Sequence, residues 1–141
     1  MGKVKPDEPP RPRPVTIGRA AVAAGLSARA VRLYEARGMM PAPARTAAGY
    51  RLYTDTDVAR LRFIAAARRL GLHVDQISEI LAAASDGRQP CGTTRRILDQ
   101  RIGEIDDLIA GLTELRASLA AARDTALPDD GTAICPVIEN R

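Results

Sequence analysis

Between positions 98 and 122, Leu98, Ile102, Ile105, Ile109, Leu112, Leu115, Leu119 and Ala122 recur at steps of four or three, with charged residues between them. A mean step near 3.5 is the repeat of a coiled-coil seam, so this stretch predicts one unbroken helix from Thr93 to about Ala126. Some 34 residues at about 1.5 Å each make roughly 50 Å of helix. A small domain cannot cover that length, so the stripe needs a partner; folding back onto its own domain is the bland alternative.

The rest of the chain must then be small. The whole chain has 141 residues, room for one domain of ordinary size or a small domain plus an extension, and too few for a two-domain enzyme. Hydrophobic residues reach 45%, but aromatics are only 3% and Trp is absent, so the core is built from Ala, Leu, Ile and Val, which favours packed helices over a β-sandwich. The longest apolar runs, around Ala20 to Ala24 and Ile64 to Ala67, are only about five residues, far shorter than a membrane span. With no apolar run behind Lys3 and Lys5 to form a secretory signal, a cytoplasmic protein with reduced thiols is expected.

Charge divides the chain. Residues 1–14 carry a net +2, residues 15–70 hold ten Lys/Arg against three Asp/Glu, and residues 71–141 hold seven against twelve. A basic block followed by an acidic one suggests that one half meets a polyanion and the other does not. A solvated basic face is the alternative that charge by itself leaves open.

Residues 1–14 contain five of the ten prolines and read as a flexible arm. Thr16 is placed to cap a helix over "IGRAAVAAGL", ended by Gly25. Ser27 restarts at once, capping "ARAVRLYEARG" with Ala30, Val31 and Tyr34 inward and Arg29 and Arg32 on an exposed face. Two short helices across a three-residue turn form a helix-turn-helix signature, with arginines where a recognition helix needs them.

From Met39 to Tyr53 the helical pattern stops, and Gly49 between short extended pieces reads as a β-hairpin wing carrying Arg45, Tyr50 and Arg51. Thr54 with Asp57 is an imperfect capping pair for a helix through Leu61, Ile64 and Leu70, closed by Gly71. A further helix is expected over Val74 to Ala84, before Gly87 and Pro90 break the chain. The divisions are thus an arm at 1–14, a winged helix-turn-helix domain at 15–86, a long helix at 91–126 that needs a partner and a tail at 127–141.

Taken together, "TIGRAAVAAGLSARAVRLYEARGMMPAPARTAAGYRLYT", the helix pair after it and the long terminal helix resemble the MerR family of bacterial transcription regulators. The most specific pieces are "VRLYEARGMM" and "RTAAGYRLYT"; Leu33 departs from the pattern, where members usually carry an aromatic. The resemblance implies a mainly α fold in which a winged helix-turn-helix precedes a long helix, paired antiparallel in a homodimer. It also implies an activator and repressor of promoters with overlong spacers, where bending and untwisting of the DNA realigns the elements that RNA polymerase binds. Arg29 and Arg32 would enter the major groove, while Arg45, Tyr50 and Arg51 would hold the DNA backbone. Tyr34 and Glu35 would support the helix rather than touch bases.

Cys91 stands just before the long helix and Cys135 follows it in "ICPVIEN". An isolated Cys in a helical protein is usually a small buried hydrophobe. In the heavy-metal branch of the resembled family, however, a Cys at this helix start and a Cys-Pro segment in the tail ligate one metal, the first from the opposite protomer. Members commonly add another Cys eight or nine residues before the Cys-Pro element, where this chain has Leu127 and Ala126. Two thiolates suit linear Hg(II) or Cu(I), whereas Zn(II) or Cd(II) would need further ligands from Asp129, Asp130, a backbone oxygen or water. Copper-sensing members have a similar tail but a Ser in place of Cys91, so the second thiolate favours a divalent soft ion such as Hg(II), Cd(II), Pb(II) or Zn(II). His73, the sole histidine, reads as a cap or surface residue before it reads as a ligand.

Other readings remain open: the same regulator answering to Cu(I), an oxidant or an organic ligand, or a coiled-coil assembly module that binds no DNA. An enzyme is not expected, because no Gly-rich phosphate loop or nucleophile-base constellation is present.

Overall fold

The computed structural model describes residues 13–87, 89–125 and 134–139. The arm apart from Arg13 and Pro14, and the tail before Ile134, lie outside the described residues. The chain divides into two compact units, residues 1–93 and 94–141.

The first unit opens with strand β1, Val15–Thr16, and helix α1, Ile17–Ala24. Gly25 ends α1 at φ 69°, a left-handed conformation that costs a Cβ-free residue little. The following Leu26 N–H donates to the Ala21 carbonyl, so the helix end is satisfied across the turn. Helix α2, Ala28–Ala36, starts three residues later, where the Ser27 hydroxyl accepts from the Ala30 N–H. Val31 and Tyr34 are buried, Ala30 is half-buried, and Arg29 and Arg32 are exposed, as the helical spacing predicts.

Strands β2, Ala44–Arg45, and β3, Arg51–Tyr53, form the wing, antiparallel with Arg45 opposite Arg51. β1 was not legible in the sequence. It pairs with the other edge of β3, Val15 opposite Tyr53, giving a three-stranded sheet in the order β1-β3-β2. The wing is therefore fastened to the entry of α1. Thr16 does sit at the N-cap position and pairs in the sheet, but its side chain makes no capping bond.

Helix α3, Asp55–Arg69, begins with a complete capping box: Asp57 N–H donates to the Thr54 hydroxyl and Thr54 N–H to the Asp57 carboxylate. Asp serves here despite its shorter side chain. Helix α4, Val74–Ser85, follows, with His73 at its N-cap position and the His73 N–H donating to the Gln76 side chain. Leu61, Ile64, Ile77 and Ile80 from these helices join Ala20, Val31, Met39 and Tyr53 in the core. Leu70 departs from its expected inward role: it is 67% exposed at the end of α3, and Leu72 beyond the Gly71 turn is buried instead. Leu61→Ala should destabilise this unit by about 3 kcal/mol, because it empties a site with no solvent access; urea unfolding followed by circular dichroism checks this.

Helix α5 runs Cys91–Asp124, most of it in the second unit, and α6 is the single turn Pro136–Glu139. Along α5, Ile102, Ile105, Ile109, Leu112, Leu115 and Leu119 are all exposed, and so is Leu108, which the stripe reading omitted. A single chain thus leaves the seam uncovered over about five turns of helix, with Leu98 and Ala122 at its ends half-buried.

Candidate functional site

Two sets of side chains are the candidates singled out by the sequence: a basic surface on α2 and the wing, and two thiols. On α2, the inward Val31 and Tyr34 turn the opposite face out, and that face carries Arg29 and Arg32. On the wing, the Thr46 N–H donates to the Tyr50 carbonyl and the Tyr50 N–H to the Thr46 hydroxyl. Gly49, at φ 86°, allows the tight return. Tyr50 is 70% exposed at this tip. The Arg45 guanidinium donates to the Gly49 carbonyl at 2.8 Å, so it braces the turn and is not simply a free charge.

Glu35 connects the two parts. Its carboxylate accepts a hydrogen bond from the buried Tyr53 hydroxyl and contacts Arg51 Nε at 3.0 Å. Burial first, then the bond to Glu35, raises the Tyr53 phenol above the ordinary tyrosine range. The expected support role of Glu35 therefore has a specific form, a link from α2 to β3. A clue was present in the sequence: Glu35 is the sole acid between residues 15 and 54, among six arginines.

The arginines of α3 have different duties. Arg60 donates to the Met39 carbonyl at 2.6 Å, Arg62 to Ala23 at 3.0 Å and Arg68 to Leu72 at 2.8 Å. These three tie down the ends of turns, so part of the basic block serves the fold.

The thiols of Cys91 and Cys135 are both free, the first exposed and the second half-buried. Cys91 is the first residue of α5. Cys135 precedes α6, and its carbonyl accepts from the Ile138 and Glu139 N–H groups while the Glu139 carboxylate accepts from Ile134 and Cys135. The Cys-Pro segment is thereby closed into one compact turn. Among the described residues no group of three or more His, Cys, Asp and Glu could hold a metal. A thiol is a donor that suits a soft cation, and each thiol by itself needs further donors to complete a site. His73 stands at a helix start and joins no such group among the described residues.

A helix-turn-helix with an exposed basic second helix and a basic wing defines a DNA-binding protein. The family profile described as "MerR HTH family regulatory protein" matches residues 15–84, and "MerR, DNA binding" matches residues 58–122. The chain is 35% identical over 125 residues to the HTH-type transcriptional regulator HmrR of Sinorhizobium medicae, covering 89% of this chain and 84% of that protein. It is 34% identical to Heavy metal-dependent transcription regulator 2 of Rhizobium meliloti, at the same coverage. Among solved structures, the transcription regulator PbrR691 of Ralstonia metallidurans, in complex with lead(II), matches at TM-score 0.73 and 26% identity, covering 89% of this chain and 98% of that one. The protein belongs to the MerR family: it is a DNA-binding transcription regulator and not an enzyme. Among the described residues no helix is long and apolar enough to cross a membrane.

Proposed function

We propose that the protein is a metal-responsive regulator that binds promoter DNA as a homodimer and activates transcription when a soft thiophilic cation occupies its thiols. The reading rests on a pair of free thiols, one at the first residue of α5 and one in the Cys-Pro turn, in a chain similar to a heavy metal-dependent regulator. Thiolates select soft ions over hard ones. Cys91 of one protomer and Cys135 of its partner would hold the cation, which supplies a strong directional link between the two chains. Two ligands favour Hg(II); Cd(II), Pb(II) and Zn(II) would take further donors, and Cu(I) is the second reading, supported by the same low thiol count. A cytoplasmic location suits both DNA access and reduced thiols. Titration of the reduced protein with each of these five ions, following thiolate-to-metal charge-transfer absorption and stoichiometry, tests the proposal. Absence of thiolate binding by all five would refute it.

At the DNA, Arg29 and Arg32 are assigned to base edges in the major groove, and Arg45, Tyr50 and Arg51 to the sugar-phosphate backbone. The homodimer would join two such heads through α5 and bend and untwist an overlong promoter spacer, so that RNA polymerase engages both of its elements. Arg32→Ala should relax base preference and cost about 1 to 3 kcal/mol on the cognate duplex. Arg51→Ala should weaken all duplexes alike and reduce the salt slope by about one unit. Binding isotherms on cognate and bulk duplex at several salt concentrations separate the two effects. Unchanged specificity and salt slope in both variants would overturn these assignments.

A further inference from the structure

The exposed seam of α5 and the two thiols are already taken up by the proposed function. The Glu35 carboxylate is not, and its surroundings are unusual. It is an acid on the recognition helix of a polyanion-binding protein, where charge considerations argue against any acid at all. It is also mostly covered, with 12% of its side chain exposed against 32% for Arg51. Its two oxygens are divided between partners on one strand: Oε1 takes the Tyr53 hydroxyl and Oε2 faces Arg51 Nε.

The contact to Arg51 is made through Nε, which leaves the terminal nitrogens and their four N–H groups available to a phosphate. An arginine held at Nε is fixed in direction before DNA arrives, so less side-chain entropy is lost on binding. Tyr53, buried and paired with the other oxygen, prevents the carboxylate from rotating away. We infer that Glu35 is a positioning residue for DNA recognition, clamping the wing's Arg51 in a phosphate-binding orientation and locking the wing to the recognition helix. The raised ionisation range of Tyr53 agrees, since the phenol must keep its proton to serve the carboxylate.

The inference rests on the DNA-binding assignments made above, and it yields a test of sign. Glu35→Gln removes a negative charge from a DNA-facing surface. On charge alone it should tighten binding and steepen the salt dependence. Clamping predicts the opposite: about fivefold weaker binding to all duplexes, the upper scale of a lost ion pair between partly exposed groups. In an Arg51→Ala background the same substitution should change affinity less than about twofold, because no guanidinium remains to be positioned.

The probes are a duplex selected by the wild-type protein from a random pool, and bulk genomic duplex, each at several salt concentrations. Tighter or unchanged binding by Glu35→Gln overturns the inference. So does an equal loss in both backgrounds, which would mark a merely structural role. If Glu35→Gln does not fold as a helical protein, Tyr53→Phe carries the same cycle, with an expected loss of about threefold that again vanishes without Arg51. A wild-type protein with no salt-dependent duplex binding would instead defeat the parent assignment, and this inference with it.

Discussion

Replacing Ile105 and Ile109 with Glu in the full chain is expected to yield monomers and to abolish tight DNA binding in the same step. Both side chains are about half exposed in a single chain, on a face where Ile102, Leu112 and Leu119 are exposed too. Leaving such a continuous apolar stripe open to water is unfavourable. In a pair of helices the two substitutions become four, each replacing an apolar side chain worth about 1.5 to 3 kcal/mol by a charge with no partner. Losing the second head then removes the gain from tethering two sites, on the order of a hundredfold to ten-thousandfold in affinity. Sedimentation and binding isotherms read the two losses on the same samples. A folded monomer that keeps full operator affinity would defeat the idea that the seam joins two copies.

The second large effect concerns the thiols. Cys91→Ser or Cys135→Ser should leave repression intact and remove metal-dependent activation, each as severely as both together. The reason is thermodynamic: an effector that shifts a regulator between two DNA-bound shapes must bind one shape better, and need not alter operator affinity. A ligand shared between chains has a further signature. In a mixed dimer with one protomer lacking Cys91 and the other lacking Cys135, both losses fall in the same site and the other site stays whole. One ion bound per such dimer supports bridging across protomers. None bound points to ligation within a single chain.

Much of this protein is written locally. Gly25 at φ 69°, the Ser27 cap and the Thr54–Asp57 box each join residues no more than four or five positions apart, so residue type and spacing suffice to find them. The seam of α5 is legible for the same reason, since one face of a helix repeats every 3.5 residues whatever surrounds it. Exposure of Arg29 and Arg32 follows from the burial of Val31 and Tyr34 by helical geometry.

The tertiary structure decided what those side chains are free to do. β1 has only two residues, too few to show any alternation, and exists because β3 offers it an edge 36 positions away in sequence, Thr16 opposite Leu52. Leu70 follows the helical spacing yet faces water, while Leu72 enters the core after the chain turns at Gly71. Arg60 and Arg62 look like any other basic residues, but the carbonyls they hold belong to Met39 and Ala23. Glu35 finds Tyr53 and Arg51 only once the wing has folded beside α2. Periodicity records which way a side chain points along its own helix; which distant group meets it there is set by how separate elements pack, and that information is not local to any window of sequence.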